Sequence, residues 1–243
     1  MSALAGDNRL PRYQRLADAL RARIVDRSWK PGDRIPSENV IAEQFGVAPG
    51  TARQALAALV DEGLLERQHG RGTFVRRPSF DQSLFRFFRF SGAAGERLIP
   101  ESRILRRSVD VMPSEVARQL GVSEGSEGIA MDRLRLIDGA PILAEQIWLP
   151  LPRFQPFLAI DPADIGPLLY PIYDASCEQT VARAEESLTA EAADATLARL
   201  LRVARGTPLI VIDRLARDYA GDALEWRRSR GPAERFRYRT EIR

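Results

Sequence analysis

The 243-residue sequence holds one cysteine, Cys177, one histidine, His69, and one lysine, Lys30. A lone cysteine excludes an internal disulfide and fits a reducing compartment such as the cytosol. One cysteine and one histidine cannot assemble a zinc site within a chain, and Ser-His-Asp or Cys-His machinery would have to run through His69. No charge-free run exceeds nine residues, the length of Ile165–Tyr173, against the ~18–20 needed to cross a bilayer. Met1–Arg9 has no apolar core of signal-peptide length and is expected to be disordered. The expectation is a cytoplasmic protein without membrane contact, and no motif asks for a metal or a cofactor.

What is present suits two packed domains. The chain is 44% hydrophobic and 28% charged, and its length exceeds the ~100–200 residues of a typical domain. Charge is unevenly placed. Residues 1–77 carry 13 cations and 9 acids, a balance of +4, while the remainder carries 23 and 24, a balance of −1. The positive excess in the first third suggests a polyanionic partner there.

In that third, Tyr13, Leu16, Leu20 and Ile24 recur at helical spacing, and Lys30-Pro31-Gly32-Asp33 reads as a turn. Ser37 is a suitable N-cap for a second helix with Val40, Ile41 and Phe45 on its apolar face, stopped by Gly46. Pro49 opens a third helix that turns Ala52, Ala55, Leu56, Leu59 and Val60 inward and ends at Gly63. Leu64–Arg67 and Thr73–Val75 read as short strands around a glycine-rich tip, Gln68-His69-Gly70-Arg71-Gly72. Glycine lets such a tip approach a phosphate backbone closely, and an arginine there can enter a minor groove. The pattern is a winged helix-turn-helix, mainly helical with a β wing, over residues 10–77.

These residues resemble the DNA-binding domain of the GntR family. The match runs from Pro31-Gly32-Asp33-Arg34-Ile35-Pro36-Ser37-Glu38 through Ala42, Gly46-Val47, Thr51-Ala52-Arg53, Leu56, Leu59 and Gly63-Leu64 to Gly70-Arg71-Gly72-Thr73-Phe74-Val75. The resemblance implies double-stranded operator DNA as partner. It implies contacts from Arg34, Ser37, Gly50, Thr51, Arg53 and Gln54, and from His69, Gly70, Arg71 and Gly72 on the wing. Two positions depart from the family pattern: Asn39 stands where an arginine is common, and Ala48-Pro49-Gly50 where Ser/Thr-Arg-Thr is common.

Residues 78–100 form a linker in which Phe80, Phe85, Phe87, Phe88 and Phe90 alternate with Arg86 and Arg89. So many phenylalanines suit a segment packed on the following domain, the alternative being a surface on which bases stack. From 101 to 243 the sequence contains an internal repeat at a spacing of 81 residues. Ser114–Leu120, with Ser114 as N-cap, precedes Ile129–Arg135, a turn at Asp138-Gly139 and a return strand to Leu149. Ala192–Leu201 precedes Ile210–Leu215, a turn at Gly221-Asp222 and a return strand through Glu225. Two helix-plus-hairpin units predict an α+β domain, one antiparallel sheet with helices on one face.

Arg133 and Arg135 are two residues apart, so on a strand they share a face. Paired guanidiniums suit a carboxylate or phosphate, and ion pairing with Glu145 across the hairpin is the plainer alternative. This half resembles the UTRA ligand-binding domain of the HutC subfamily, which has a chorismate-lyase-like fold. The resemblance rests on Pro100-Glu101-Ser102, Arg133-Leu134-Arg135, Asp138-Gly139, Pro141-Ile142, Glu145, Leu149-Pro150, Leu169-Tyr170, Gly206-Thr207-Pro208 and Arg214. It implies effector contacts from Arg133, Arg135, Glu145, Tyr170 and Glu225, and Leu168 stands where members commonly have a serine. The resulting expectation is a transcription repressor that binds DNA as a homodimer through its C-terminal sheet and responds to a small anionic metabolite. Two rivals remain at this point: a lyase-like enzyme acting in the C-terminal domain, and a non-specific packager of nucleoid DNA.

Overall fold

The computed structural model describes residues 9–77 and 100–236. The expected disordered N-terminus (to residue 8) and the phenylalanine-rich linker (from Pro78 on) lie outside the described residues. The chain divides into two compact units, Met1–Pro78 and Ser79–Arg243.

In the first unit, helices α1 (Arg12–Val25) and α2 (Glu38–Phe45) pack against α3 (Pro49–Asp61). Each buries one stripe: Leu16, Ala17, Leu20 and Ile24 from α1, Ile41, Ala42 and Phe45 from α2, and Ala52, Ala55, Leu56 and Leu59 from α3. The Ser37 hydroxyl accepts from the Val40 amide at 3.5 Å, and Gly46 closes α2 in the left-handed region at φ 64°. Strands β1 (Leu65–Gln68) and β2 (Gly72–Val75) pair antiparallel as the wing. The turn after α1 locks onto the wing. The Ile35 amide donates to the Thr73 carbonyl at 3.0 Å, and the Val75 amide to the Asp33 carbonyl at 2.9 Å.

The second unit is built on a six-stranded antiparallel sheet, order β3-β4-β5-β8-β7-β6. Its first half is β3 (Glu101–Val111), α4 (Ser114–Leu120), β4 (Glu127–Ile137) and β5 (Ala140–Pro150). Its second half is β6 (Arg183–Ala192), α7 (Ala195–Leu201), β7 (Pro208–Arg217) and β8 (Ala223–Pro232). The repeated unit is therefore strand, helix, hairpin. The leading strands β3 and β6 were not expected from the sequence, and they form the two sheet edges. At the centre, β5 pairs with β8 from Ala144↔Arg230 to Trp148↔Trp226.

Between the halves, α5 (Leu151–Phe154), two short 3-10 turns (Gln155–Ala159 and Pro162–Asp164) and α6 (Tyr170–Cys177) form a cover. It packs Phe154, Phe157, Ile165, Leu169 and Tyr173 on Ile129, Met131, Ile147 and Leu149 of the sheet. On the opposite face, Leu120 of α4 meets Ala130 and Trp148, and Leu201 of α7 meets Leu134 and Ala144. Both faces are thus covered, where the sequence suggested helices on one. The reason is alternation. Strand β4 buries ten of its eleven positions at least in part, so each face needs an apolar partner. The cap of α4 also differs from expectation: Pro113 is its N-cap, Ser114 is already helical, and no side chain caps it.

Gly128, at the start of β4, is held by close contact. A Cβ there would stand 2.1 Å from the Met112 Cε and 2.9 Å from the Leu149 carbonyl oxygen. The methionine can turn away, but the backbone of β5 cannot. Gly128→Ala is expected to lower stability by ~1–3 kcal/mol in urea unfolding. Gly166→Ala, where a Cβ meets open space, serves as the control and should be near neutral. Equal midpoints for the two variants would contradict this packing.

Candidate functional site

Two surfaces bring expected residues together, one on each unit. On the first, Arg53 and Gln54 project into solvent from the first half of α3, opposite its buried stripe. Gly50 is exposed and Thr51 half-buried in the first turn of that helix. Ser37 is exposed, its hydroxyl serving as the α2 cap. On the wing, His69, Gly70 and Arg71 form the exposed tip, closed by the Arg71 amide donating to the Gln68 carbonyl at 3.0 Å. The Arg71 guanidinium lies over the Phe74 ring, 5.8 Å from its centroid. Arg34 lies against the wing at Gly72, where φ is 121° and a Cβ would come 2.9 Å from the Arg34 Nε. Helix α3 and the wing thus offer arginines and amides over one recognition unit, the arrangement that fits a helix in a major groove.

The second site is a buried charge cluster between the sheet and its cover. Arg133 and Arg135 are each 1% exposed, Glu145 3% and Glu225 0%. Register explains the grouping. Arg133 pairs with Glu145 across the β4–β5 hairpin, and Glu145 pairs with Ser229 across β5–β8, so the three share a face. The Arg133 Nε donates to a Glu145 oxygen at 2.5 Å, and the Ser229 hydroxyl donates to its other oxygen at 3.2 Å. Arg227 links the two glutamates, 3.6 Å from Glu145 and 2.7 Å from Glu225. From α6, the Tyr170 and Tyr173 hydroxyls donate to Glu225 at 3.2 and 2.7 Å. Arg214 donates to Glu186 and lies 3.4 Å from the Tyr170 hydroxyl.

All five expected effector residues therefore meet in one cluster. The sequence reading missed Tyr173, Arg214, Arg227 and Ser229 as members, along with Ser102, which pairs directly with Arg135 and has a buried hydroxyl without a partner. The repeat offered a signal for one of them: Arg214 is Arg133 advanced by 81 residues.

Electrostatics set the character of the site. Burial alone would raise the Glu145 carboxyl, yet the charges of Arg133, Arg227 and Arg135 overcome it and hold it at about 2. Burial pulls the Arg135 guanidinium down to about 10, with attraction to Glu145 opposing and repulsion from Arg133 and Arg227 adding. Burial and then Glu225 keep the Tyr173 hydroxyl protonated well past its usual range. Four buried guanidiniums (Arg133, Arg135, Arg214, Arg227) face three carboxylates (Glu145, Glu186, Glu225), which leaves one positive charge over. Arg133 Nη1 and Arg135 Nη2 are buried and have no hydrogen-bond partner among the described residues. Arg135 spends Nη1 on the Pro167 carbonyl of the cover. The plainer sequence alternative for Arg133, ion pairing with Glu145, is what the structure shows, and the pairing leaves Nη1 without a partner among the described residues.

Neither site resembles a metal centre. Among the described residues no three His, Cys, Asp or Glu side chains gather as ligands, and no helix is long and apolar enough to cross a membrane.

Comparison with known proteins agrees with both halves. The profile of bacterial regulatory proteins of the gntR family matches residues 12–75, and that of the UTRA domain matches residues 95–237. The HTH-type transcriptional repressor NagR of Bacillus subtilis (strain 168) is 30% identical over 230 residues, covering 94% of this chain and 93% of NagR. The mannosyl-D-glycerate transport/metabolism system repressor MngR of Escherichia coli (strain K12) is 26% identical over 223 residues, 90% of each chain. Among solved structures, PhnF from Mycobacterium smegmatis superposes with a TM-score of 0.56 at 28% identity, over 92% of this chain and 98% of that one.

Glu145 carries a stability prediction. Its folded value lies below its unfolded one, so its contribution is present at neutral pH and fades as pH falls from 4.5 toward 2. Glu145→Gln leaves Arg133 buried without its carboxylate and should cost on the order of 3 kcal/mol at pH 7. Urea unfolding at pH 7 and at pH 3 should show the gap to wild type narrowing at the lower pH. A gap independent of pH would contradict the charge account.

Proposed function

Because this chain belongs to the GntR family of bacterial regulatory proteins and carries a UTRA domain, we propose that it is a repressor controlled by a small anionic metabolite bound at Arg133 and Arg135. The family and its relatives are DNA-binding transcription regulators and not enzymes, which removes the lyase-like reading. A repressor of a defined system also differs from a general packager of DNA.

The observation that carries the effector assignment is that Arg133 Nη1 and Arg135 Nη2, with Arg227 Nε beside them, are buried without hydrogen-bond partners among the described residues, in a cluster with one positive charge to spare. A buried donor without an acceptor costs ~1–3 kcal/mol, more when charged. A carboxylate or phosphate bridging the two arginines recovers that cost and returns Arg135 toward its ordinary value. Glu145, Tyr170 and Glu225 then frame the remainder of the ligand through hydroxyls or amides. One relative, MngR, is named for a system handling mannosyl-D-glycerate, whose glycerate part carries a carboxylate. Arg133 and Arg135 are closed off in this structure, so entry requires the cover to lift where Arg135 holds Pro167.

On the DNA side, Arg53, Gln54, Thr51 and Gly50 read or approach bases from α3. Arg34, Ser37 and the wing residues His69, Gly70, Arg71 and Gly72 track the backbone or the minor groove. One such unit reads a half-site, so the chain acts in the cytoplasm as a homodimer on paired half-sites. The effector regulates through its differential affinity for dimer geometries that fit or miss that spacing.

The test is a thermal-shift screen of phosphorylated and carboxylated metabolites beside their neutral parent compounds. An anion at 100 times its dissociation constant should add ~2.7 kcal/mol of stability, and Arg135→Gln should abolish the gain. Stabilisation by neutral compounds alone, undiminished in Arg135→Gln, would refute the anionic effector.

A further inference from the structure

The recognition helix is not left alone on its face. Glu38, the first residue of α2, accepts from the Arg53 Nε at 2.9 Å through one carboxylate oxygen. Its other oxygen lies 3.5 Å from Nη2 of Arg67, on wing strand β1. The Glu38 side chain is 30% exposed, while Arg53 and Arg67 are 68% and 50% exposed. A single carboxylate therefore bridges the recognition helix and the wing.

An acidic side chain is costly on a surface that must approach phosphates. Helix α2 gains from an acid in its first turn, because the helix dipole favours it. That benefit alone would not require the carboxylate to engage the arginine of another helix. An exposed ion pair also adds little to the stability of the free protein. Its consequence must be sought in the complex.

We infer that Glu38 is a specificity-determining positioning residue, which fixes Arg53 for one base pair and lowers affinity for all other DNA. This rests on the reading of Arg53 as a base-contacting residue. The donor inventory supports the geometry. A guanidinium has five N–H groups, and the Nε–H is taken by Glu38. The terminal Nη fork stays free, and that fork makes the bidentate contact with guanine O6 and N7. A long side chain already held at its Nε loses less rotamer freedom when it docks. Once water leaves the interface, the Glu38–Arg53 hydrogen bond strengthens in the lower dielectric. The carboxylate meanwhile repels every phosphate backbone equally, so it weakens binding without regard to sequence. Together these effects trade general affinity for discrimination, by repulsion against the wrong partners as well as attraction to the right one.

The experiment uses the full chain and a duplex selected by the wild-type protein from a random-sequence pool. Its single-base variants and a scrambled duplex complete the set. Dissociation constants at one salt concentration are measured for wild type, Glu38→Gln, Glu38→Asp, Arg53→Ala and the Glu38→Gln/Arg53→Ala double variant. Arg53→Ala identifies the base pair that Arg53 reads. At that base pair Glu38→Gln should lose about five- to tenfold of preference, within the range of one bidentate contact. It should also bind the scrambled duplex several-fold tighter and keep its preference elsewhere. Glu38→Asp keeps the charge but withdraws it from Arg53, so it should lose preference without gaining scrambled affinity. In the double variant the Arg53 base pair should show no loss beyond that of Arg53→Ala alone. Full discrimination by Glu38→Gln at that base pair, or a uniform loss on every duplex, would overturn the inference. An Arg53→Ala protein with unchanged preference everywhere would remove the reading of Arg53, and the role of Glu38 with it.

Discussion

Uncompensated positive charge inside the C-terminal sheet governs much of this molecule. Arg133, Arg135, Arg214 and Arg227 sit against one sheet face, and Glu145, Glu186 and Glu225 answer only three of them. Buried guanidiniums are tolerable only when hydrogen-bonded and paired, and this explains why so much of the fold converges on them. Ser229 satisfies Glu145 from β8. Tyr170 and Tyr173 satisfy Glu225 from the cover, and the Pro167 carbonyl takes one arm of Arg135. The cover is thus tied to the sheet by these polar contacts and by the packing of Phe154, Phe157 and the Tyr173 ring. A ligand that takes the free arms of Arg133 and Arg135 alters the same contacts that hold the cover.

The internal repeat supplied the scaffold, and divergence between its halves gave each a different set of charged residues. Arg133 and Arg214 occupy equivalent places, but Arg214 is engaged by Glu186 from the edge strand β6 and by Tyr170. Arg135 corresponds to Ala216, which lies in the apolar cluster. The second half contributes Arg227 from β8 instead, directly across from Arg214, and its buried Nε also has no hydrogen-bond partner among the described residues. The DNA-binding unit shows a comparable economy, because Glu38 engages Arg53 at its Nε and Arg67 at its Nη2 at once and leaves the terminal fork of Arg53 unengaged.

Much of this was legible from the sequence, for physical reasons that differ by region. The three helices and the wing announce themselves through local chemistry: Ser37 and Pro49 at helix starts, Gly46 and Gly63 at ends, Gly70 and Gly72 at the tip. Arg133 and Arg135 could be placed on one face because strand periodicity is two. What escaped is set by topology. Strand β6, with Ala184-Glu185-Glu186 and Ala190-Glu191-Ala192, has a helix-like composition and becomes a strand by pairing along β7. Arg227 and Ser229 reach the site only because β8 lies beside β5, a neighbour relation no local pattern encodes. The cover, broken by Pro152, Pro156, Pro162, Pro167 and Pro171, carries no periodicity that would place Tyr173 against Glu225.

The central claim is that an anion held by Arg133 and Arg135 sets the grip of α3 and the wing on operator DNA. The most direct measurement is fluorescence anisotropy of a selected operator duplex titrated with the full chain, with and without the stabilising anion, for wild type and Arg135→Gln. The account predicts that the anion shifts the wild-type dissociation constant at least fivefold, ~1 kcal/mol of coupling, and that the ratio with and without anion collapses to about one in the variant. An Arg135→Gln protein whose operator affinity still responds to the anion as wild type does would contradict it.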